Sequence, residues 1–188
     1  AERMVNELKN PQTDWRVVLN DFIQIEINDY TLAPPDKRFT DSGFFLPDFN
    51  DADCSVKDLL FMVDTSGSMS QKQLTDAFSE IQGAISQFNG KIQGWLGFFD
   101  AQVVEPIPFS SEDEFKLIKA IGGGGTNFHC IFEYIDEKMS DKDIACVIII
   151  TDGYARYPDE EATRGVPVLW VINNEASNPP WGRTIRIK

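Results

Sequence analysis

The feature that most constrains the fold is residues 144–150, the most apolar segment of the chain. Its β-branched residues favour a strand over a helix, and an unbroken apolar run is typical of a strand covered on both faces. Residues 59–63 have the same character. Each segment is followed at once by polar turn residues, Asp64 after the first and the tripeptide T-D-G after the second. Buried strands of this kind require a sheet with helices on both faces.

Apolar residues at helical spacing alternate with these strands along the chain. The spacing predicts helices that begin near Thr13, at residue 74, at residue 112 and at residue 128, and the third of them spans 112–121. Further strands are predicted at 92–99, 103–104, 166–172 and 184–187. This alternation predicts a three-layer, Rossmann-like α/β fold. Its central sheet is mostly parallel with helices on both faces, and residues 92–99 and 103–104 form one antiparallel edge hairpin.

The composition excludes several classes of function. Lysine and arginine number 17 against 30 aspartates and glutamates, a formal charge of −13, and no basic cluster offsets it, so nucleic-acid binding is not expected. No apolar run approaches the roughly 20 residues of a membrane span. The three scattered cysteines favour a reducing, cytoplasmic setting. A single histidine argues against zinc or catalytic-triad chemistry within the chain.

Three polar motifs follow or precede the predicted elements where a binding site is expected. They are D-T-S-G-S at 64–68, G-G-T-N at 124–127 and T-D-G at 151–153. Binding sites of open parallel sheets lie at the carboxyl ends of the strands. A hard cation such as Mg²⁺ takes an octahedral shell of oxygens, and two carboxylates with three neutral hydroxyls would leave it electrophilic and short of one strong ligand. The candidate ligands are Asp64, Ser66, Ser68, Thr126 and Asp152.

These motifs resemble the von Willebrand factor A (vWA) domain, over residues 54–188. The resemblance implies a vWA fold with a metal-ion-dependent adhesion site, in which a carboxylate of a partner protein fills the open position on the metal. It further implies that Asp64, Ser66 and Ser68 are direct ligands of Mg²⁺, or of Mn²⁺ or Ca²⁺. Thr126 and Asp152 would bind directly or through water.

Three more residues lie near the predicted site. Asp100 would either tune the metal site from outside its ligand shell or only stabilise the turn of the hairpin. Asn127 stands where many vWA domains have aspartate, which removes a charge but no ligand. His129 would be a neighbour of the site or an ordinary exposed or packing residue. The glycines at 122–125 do not form a phosphate-binding loop, because no Gly-Lys-Ser/Thr follows them.

The N-terminal residues support a narrower resemblance. The motifs are D-W-R at 14–16, K-R-F at 37–39, F-L-P at 45–47 and P-V-L-W at 167–170, with Tyr30 and Pro34. They resemble a bacterial family of predicted metallopeptidases in which a zincin-like domain precedes a vWA-like one. On this resemblance, residues 1–53 are a helix and an extended arm, the tail of the first domain and a linker, and 54–188 form the vWA-like domain. Such proteins are often associated with MoxR-type AAA+ ATPases, which implies one as a partner.

The leading interpretation is therefore a binding module that captures an acidic side chain of a protein partner through a divalent metal. The alternative is the C-terminal regulatory part of a metallopeptidase-like hydrolase. No H-E-x-x-H is present, so we expect no enzyme activity from this chain alone. A hydrolase at the metal site would need a general base, and Asp100 and His129 are the only nearby candidates. A third possibility is a metal that only stabilises the fold.

Overall fold

The computed structural model describes residues 2–3, 13–22, 56–88, 92–110, 120–121 and 123–187. In chain order, the elements are strand β1 (Glu2–Arg3), helix α1 (Trp15–Phe22), β2 (Val56–Asp64), α2 (Gln71–Gln87), β3 (Ile92–Phe99), β4 (Val103–Phe109), β5 (Ala120–Ile121), α3 (His129–Lys138), β6 (Cys146–Thr151), a 3-10 helix (Glu160–Thr163), β7 (Val168–Ile172) and β8 (Arg183–Arg186).

Six strands form one mixed sheet in the order β4-β3-β2-β6-β7-β8. Neighbouring strands are parallel throughout, except that the edge strand β4 runs antiparallel to β3. The predicted α/β fold with one antiparallel edge hairpin is confirmed. The β2 strand lies beside β6, so the carboxyl ends of the two most apolar strands are neighbours.

Both faces of the sheet are buried because side chains alternate along each strand. Ile148 and Ile150 of β6 face the cluster that contains residues of α1 and α2. Ile149 faces the other cluster, with Trp170 of β7 and residues of α3. Helices thus cover the sheet on both sides, which explains why these strands have no polar face.

Helix α1 belongs to the same core. The Trp15 side chain is fully buried, and its indole N–H donates to the Glu80 carboxylate on α2 at 3.0 Å. The amide of Gln87, also on α2, donates to the Thr13 carbonyl at 2.9 Å and accepts from the Trp15 N–H at 2.6 Å. The helix predicted to begin near Thr13 is confirmed as α1. These hydrogen bonds hold its first turn against α2.

One expectation changes. The helix predicted over 112–121 is wrong at its end, because Ala120 and Ile121 form strand β5 and pair with β1, while 111–119 lie outside the described residues. The connection from β6 to β7 contains only the 3-10 helix, and the one from β7 to β8 contains no helix. The predicted extended arm within residues 1–53 lies outside the described residues, and the division at 53 stays a prediction. Among the described helices, none is long and apolar enough to cross a bilayer.

Candidate metal centre

The predicted ligands gather where β2 and β6 end. Asp64 is the last residue of β2, and Asp152 follows directly after β6. Because the two strands are parallel neighbours, both carboxyl groups lie at the same edge of the sheet. Their exposed fractions are 0% and 1%. Two acidic side chains are thus buried side by side, an arrangement that costs free energy unless a positive charge or hydrogen bonds offset it.

Asp64 has its hydrogen bonds within the site. One carboxylate oxygen accepts from the Ser66 N–H at 2.9 Å, and the other accepts from the Thr151 hydroxyl at 2.5 Å. Burial raises the pKa of Asp64 above its ordinary value, these hydrogen bonds oppose the rise, and the charge of Asp152 adds to it. Burial thus disfavours the ionised form of Asp64, and a bound cation would favour it.

Asp152 is less well satisfied. Its Oδ1 accepts from the Tyr154 N–H at 3.1 Å, but its buried Oδ2 has no hydrogen-bond partner among the described residues. A buried polar atom without a partner is uncommon in folded proteins and needs an explanation. A divalent cation bound between Asp64 and Asp152 would supply one, so the donor set fits such an ion.

The two serines also fit a hard cation. The turn that follows β2 places Ser66 Oγ and Ser68 Oγ 3.0 Å apart. Adjacent oxygens around octahedral Mg²⁺ are separated by about 2.8–3.0 Å, because each lies about 2.0–2.1 Å from the ion. The spacing of the serine hydroxyls matches that value. Ser70 then caps α2 in a capping box with Gln73, which fixes the loop at its far end.

Thr126 lies in a loop that is docked onto the serine loop. The Gly67 N–H donates to the Gly124 carbonyl at 2.8 Å. The Gly124 N–H donates to Asp100 Oδ2 at 3.0 Å, and a Cβ on Gly124 would lie only 3.0 Å from the same oxygen. No hydrogen bond within the described part of the chain joins the Thr126 side chain to Asp64 or the serines. The loop is brought to the site, but the ligand role of Thr126 stays a prediction.

The three neighbouring residues have distinct positions. Asp100 accepts from the Gly124 and Gln102 N–H groups; burial raises its pKa, but these backbone bonds outweigh burial, and the pKa lies below its ordinary value. It is both the turn residue of the hairpin and the anchor of the Thr126 loop. Asn127 Oδ1 accepts from the backbone N–H of His129, the exposed first residue of α3.

One contributor was missed from the sequence. Thr151, the first residue of the T-D-G motif, donates its hydroxyl to Asp64 and accepts from the Gly153 N–H at 3.0 Å. It therefore ties the end of β2 to the loop after β6. The register could have suggested this, since Val63 pairs with Ile150 and the following residues are Asp64 and Thr151.

The side chains gathered at this edge of the sheet offer oxygen atoms, which are the ligands that a hard cation prefers. Within the described ranges, no three side chains of histidine, cysteine, aspartate or glutamate lie close enough together to hold a metal. The thiol of Cys130 donates to the Asn127 carbonyl at 2.9 Å, and burial, helped by nearby carboxylates, raises its pKa to about 12. Two carboxylates and neutral hydroxyls are an oxygen set that suits Mg²⁺, Mn²⁺ or Ca²⁺.

A sheet of this topology with its polar loops at one edge defines a VWA-like domain. Residues 59–188 match the family described as "VWA-like domain (DUF2201)", and the chain belongs to this family. It is similar to an uncharacterised protein of Thermotoga maritima, with 27% identity over 154 residues, 80% of this chain and 36% of that protein. It also matches the crystal structure of the ArnB paralog VWA2 from Sulfolobus acidocaldarius, with a TM-score of 0.46 and 18% identity, over 66% of this chain and 36% of that one. The chain therefore spans about a third of the length of either protein.

Proposed function

We propose that this chain is a divalent-metal-dependent protein-binding module. Asp64, Ser66 and Ser68 would hold the ion, Mg²⁺ or else Mn²⁺ or Ca²⁺, with Thr126 and Asp152 as direct or water-bridged ligands. The observation that carries the proposal is the pair of buried carboxyl groups of Asp64 and Asp152. In the second of them, the Oδ2 atom has no hydrogen-bond partner among the described residues. When bound, the ion supplies an electrophilic position that can accept a carboxylate oxygen from outside the chain.

The surface around the site supports capture of a protein partner. Tyr154 is 66% exposed, although it is a large aromatic residue, and its N–H is held by the Asp152 carboxylate. An acidic side chain that reaches the site would bring its neighbours against this ring. Exposed tyrosines of this kind are frequent at the centres of protein interfaces. Because the chain carries a formal charge of −13, such local contacts must outweigh a general repulsion of acidic partners.

The broader biological setting is part of the same proposal. From the resemblance of the N-terminal motifs, we propose a MoxR-type AAA+ ATPase as the partner and a cytoplasmic location. The second candidate function is the regulatory part of a longer metallopeptidase-like hydrolase. It is favoured by those motifs together with the Thermotoga maritima relative, of which this chain spans only 36%. In either case we propose no enzyme activity for this chain by itself.

The metal site is tested with Mn²⁺ as a paramagnetic probe. Mn²⁺ bound with water in an open position should raise the relaxation rate of water protons several-fold over free Mn²⁺, and Mg²⁺ should reverse the effect by competition. The Asp64→Ala variant should show no enhancement. Absence of enhancement with the wild-type chain would overturn the proposed metal site.

The open position is tested by adding a short capped peptide with one glutamate to the Mn²⁺ complex. The peptide should lower the enhancement by displacing water, and the same peptide with glutamine should not. Free Mn²⁺ with each peptide is the control for chelation. If the glutamate peptide has no effect at any concentration that leaves free Mn²⁺ unchanged, the metal only stabilises the fold and the binding role is wrong.

A further inference from the structure

The loop that joins β7 to β8, residues 173–182, contacts the backbone at Asp152 and Gly153. The Asn174 side-chain amide donates to the Asp152 carbonyl at 3.0 Å, and the Ser177 hydroxyl donates to the Gly153 carbonyl at 3.1 Å. Asn174 is itself oriented, because its Oδ1 accepts from the Ala176 N–H at 2.9 Å. The backbone carbonyls of Asp152 and Gly153 are thus held by side chains of a different loop, the one between β7 and β8.

The approach of the β7–β8 loop to Gly153 is close. Gly153 has a φ of +74°, and a Cβ there would lie 2.1 Å from Ser177 Oγ, so only glycine fits. On the other side, the Tyr157 hydroxyl lies 2.7 Å from Ser177 Oγ. Ser177 and Tyr157 together enclose the Gly153 carbonyl. The position of Asp152 therefore depends on where the β7–β8 loop lies.

Arg186, at the end of β8, holds that loop. Its guanidinium donates to the Ser177 carbonyl at 2.9 Å and, in addition, to the Asn174 carbonyl and to Asn178 Oδ1. The planar fork of arginine suits several acceptors at fixed angles, which the single ammonium of lysine reproduces only in part. Asn174 and Ser177 touch the Asp152–Gly153 backbone from the β7–β8 loop, and both are bound by this one side chain. Arg186 itself is exposed, so its replacement removes no core packing.

We propose that Arg186, with Asn174 and Ser177, forms a set of positioning residues that hold Asp152 in the geometry the metal requires. The inference rests on the proposed metal site for its functional meaning, but its structural part can be tested without any metal. Groups that orient a ligand from outside the metal's own shell typically change metal affinity by about 10–100-fold when removed. The edge strand β8 therefore influences the affinity of a site at the ends of β6 and β2, which lie two and three strands away from it in the sheet.

The test compares two arginines of the same strand. Arg186→Met removes the bonds to the β7–β8 loop, while Arg183→Met removes an ion pair with Asp21 of α1 at 3.3 Å and, within the described part of the chain, no bond to that loop. Calorimetric titration with Mg²⁺ should show about 10-fold weaker binding for Arg186→Met and unchanged binding for Arg183→Met. Arg186→Lys should recover part of the loss. Equal affinity of wild type and Arg186→Met would overturn the proposal.

Amide hydrogen exchange in EDTA separates this inference from the proposed function. The Gly153 and Tyr154 N–H groups, which are bonded to Thr151 and Asp152, should exchange faster in Arg186→Met than in wild type and Arg183→Met. If wild type binds no metal but this exchange still rises, the proposed function fails and the positioning role stands. If protection at both amides is unchanged in Arg186→Met, the positioning role is wrong whether or not metal binds.

Discussion

The Asp152→Asn variant should be more stable than the wild-type protein in EDTA and less stable than the wild-type protein in Mg²⁺. Asp152 is 1% exposed, and one of its carboxylate oxygens has no partner. Asparagine keeps the oxygen that accepts from the Tyr154 N–H and replaces the unpartnered oxygen by a neutral amide. It also removes the charge that lies beside Asp64.

The magnitude follows from the cost of a buried group without a partner, about 1–3 kcal/mol for a neutral group and more for a charged one. The difference between the charged and the neutral group should make Asp152→Asn more stable than wild type in EDTA by about 1–2 kcal/mol, or roughly 2–8 °C in Tm. With Mg²⁺ at 100 times a dissociation constant on the order of 0.1 mM, wild type should gain about 2.7 kcal/mol and the variant nothing. Wild type is then the more stable protein.

The assay is thermal unfolding of both proteins, followed by circular dichroism at neutral pH, in EDTA and in 10 mM Mg²⁺. Sodium chloride at the same ionic strength controls for general salt effects on this acidic chain. A variant that is less stable than wild type in EDTA would show that Asp152 is a structural residue already satisfied in the apo protein. A variant that gains as much from Mg²⁺ as wild type would show that the ion binds elsewhere.

Three further predictions concern residues outside the ligand set. Trp15→Ala should lower the free energy of unfolding by about 3–5 kcal/mol in urea titrations, while Val17→Ala on the exposed side of α1 should change it by less than about 0.5 kcal/mol. Cys130 and Cys146 should resist iodoacetamide at pH 8 in the native state, as judged by peptide mass spectrometry, because burial raises both pKa values to about 12. Tyr154→Ala should leave Mn²⁺ affinity unchanged but weaken binding of the glutamate peptide in the relaxation assay.

The sequence predicted the central strands well, because an unbroken run of apolar residues indicates by itself that a strand is buried on both faces. Residues 144–150 contain no polar side chain, and the structure forms β6 over Cys146–Thr151. The edge of the fold was harder. Ala120 and Ile121 follow a helical pattern, but they pair with Glu2 and Arg3, which are far away in sequence. Whether such a short segment forms a strand depends on a pairing partner that is distant in sequence, and no local pattern reveals that partner.

The site was predictable where its residues are close in sequence. The spacing of Asp64, Ser66 and Ser68 on one turn gave their proximity directly, and the parallel sheet brought Asp152 beside them. The supports of the site were not predictable. Ser177 acts on Gly153 from a loop 24 residues further along, and a lone serine there has no distinguishing pattern. Only the three-dimensional structure shows that contact.

Helix α1 has a practical consequence for the boundaries of this domain. The family match begins at residue 59, beyond Thr13 and Trp15, which supply hydrogen bonds to Glu80 and Gln87 of α2. A fragment cut at that boundary would also lose the first residues of β2 and would uncover the apolar surface that Trp15, Leu19 and Phe22 occupy. Such a fragment should be prone to aggregation, because it exposes a continuous apolar face to water. Fragments for expression should therefore keep the segment that begins at Thr13.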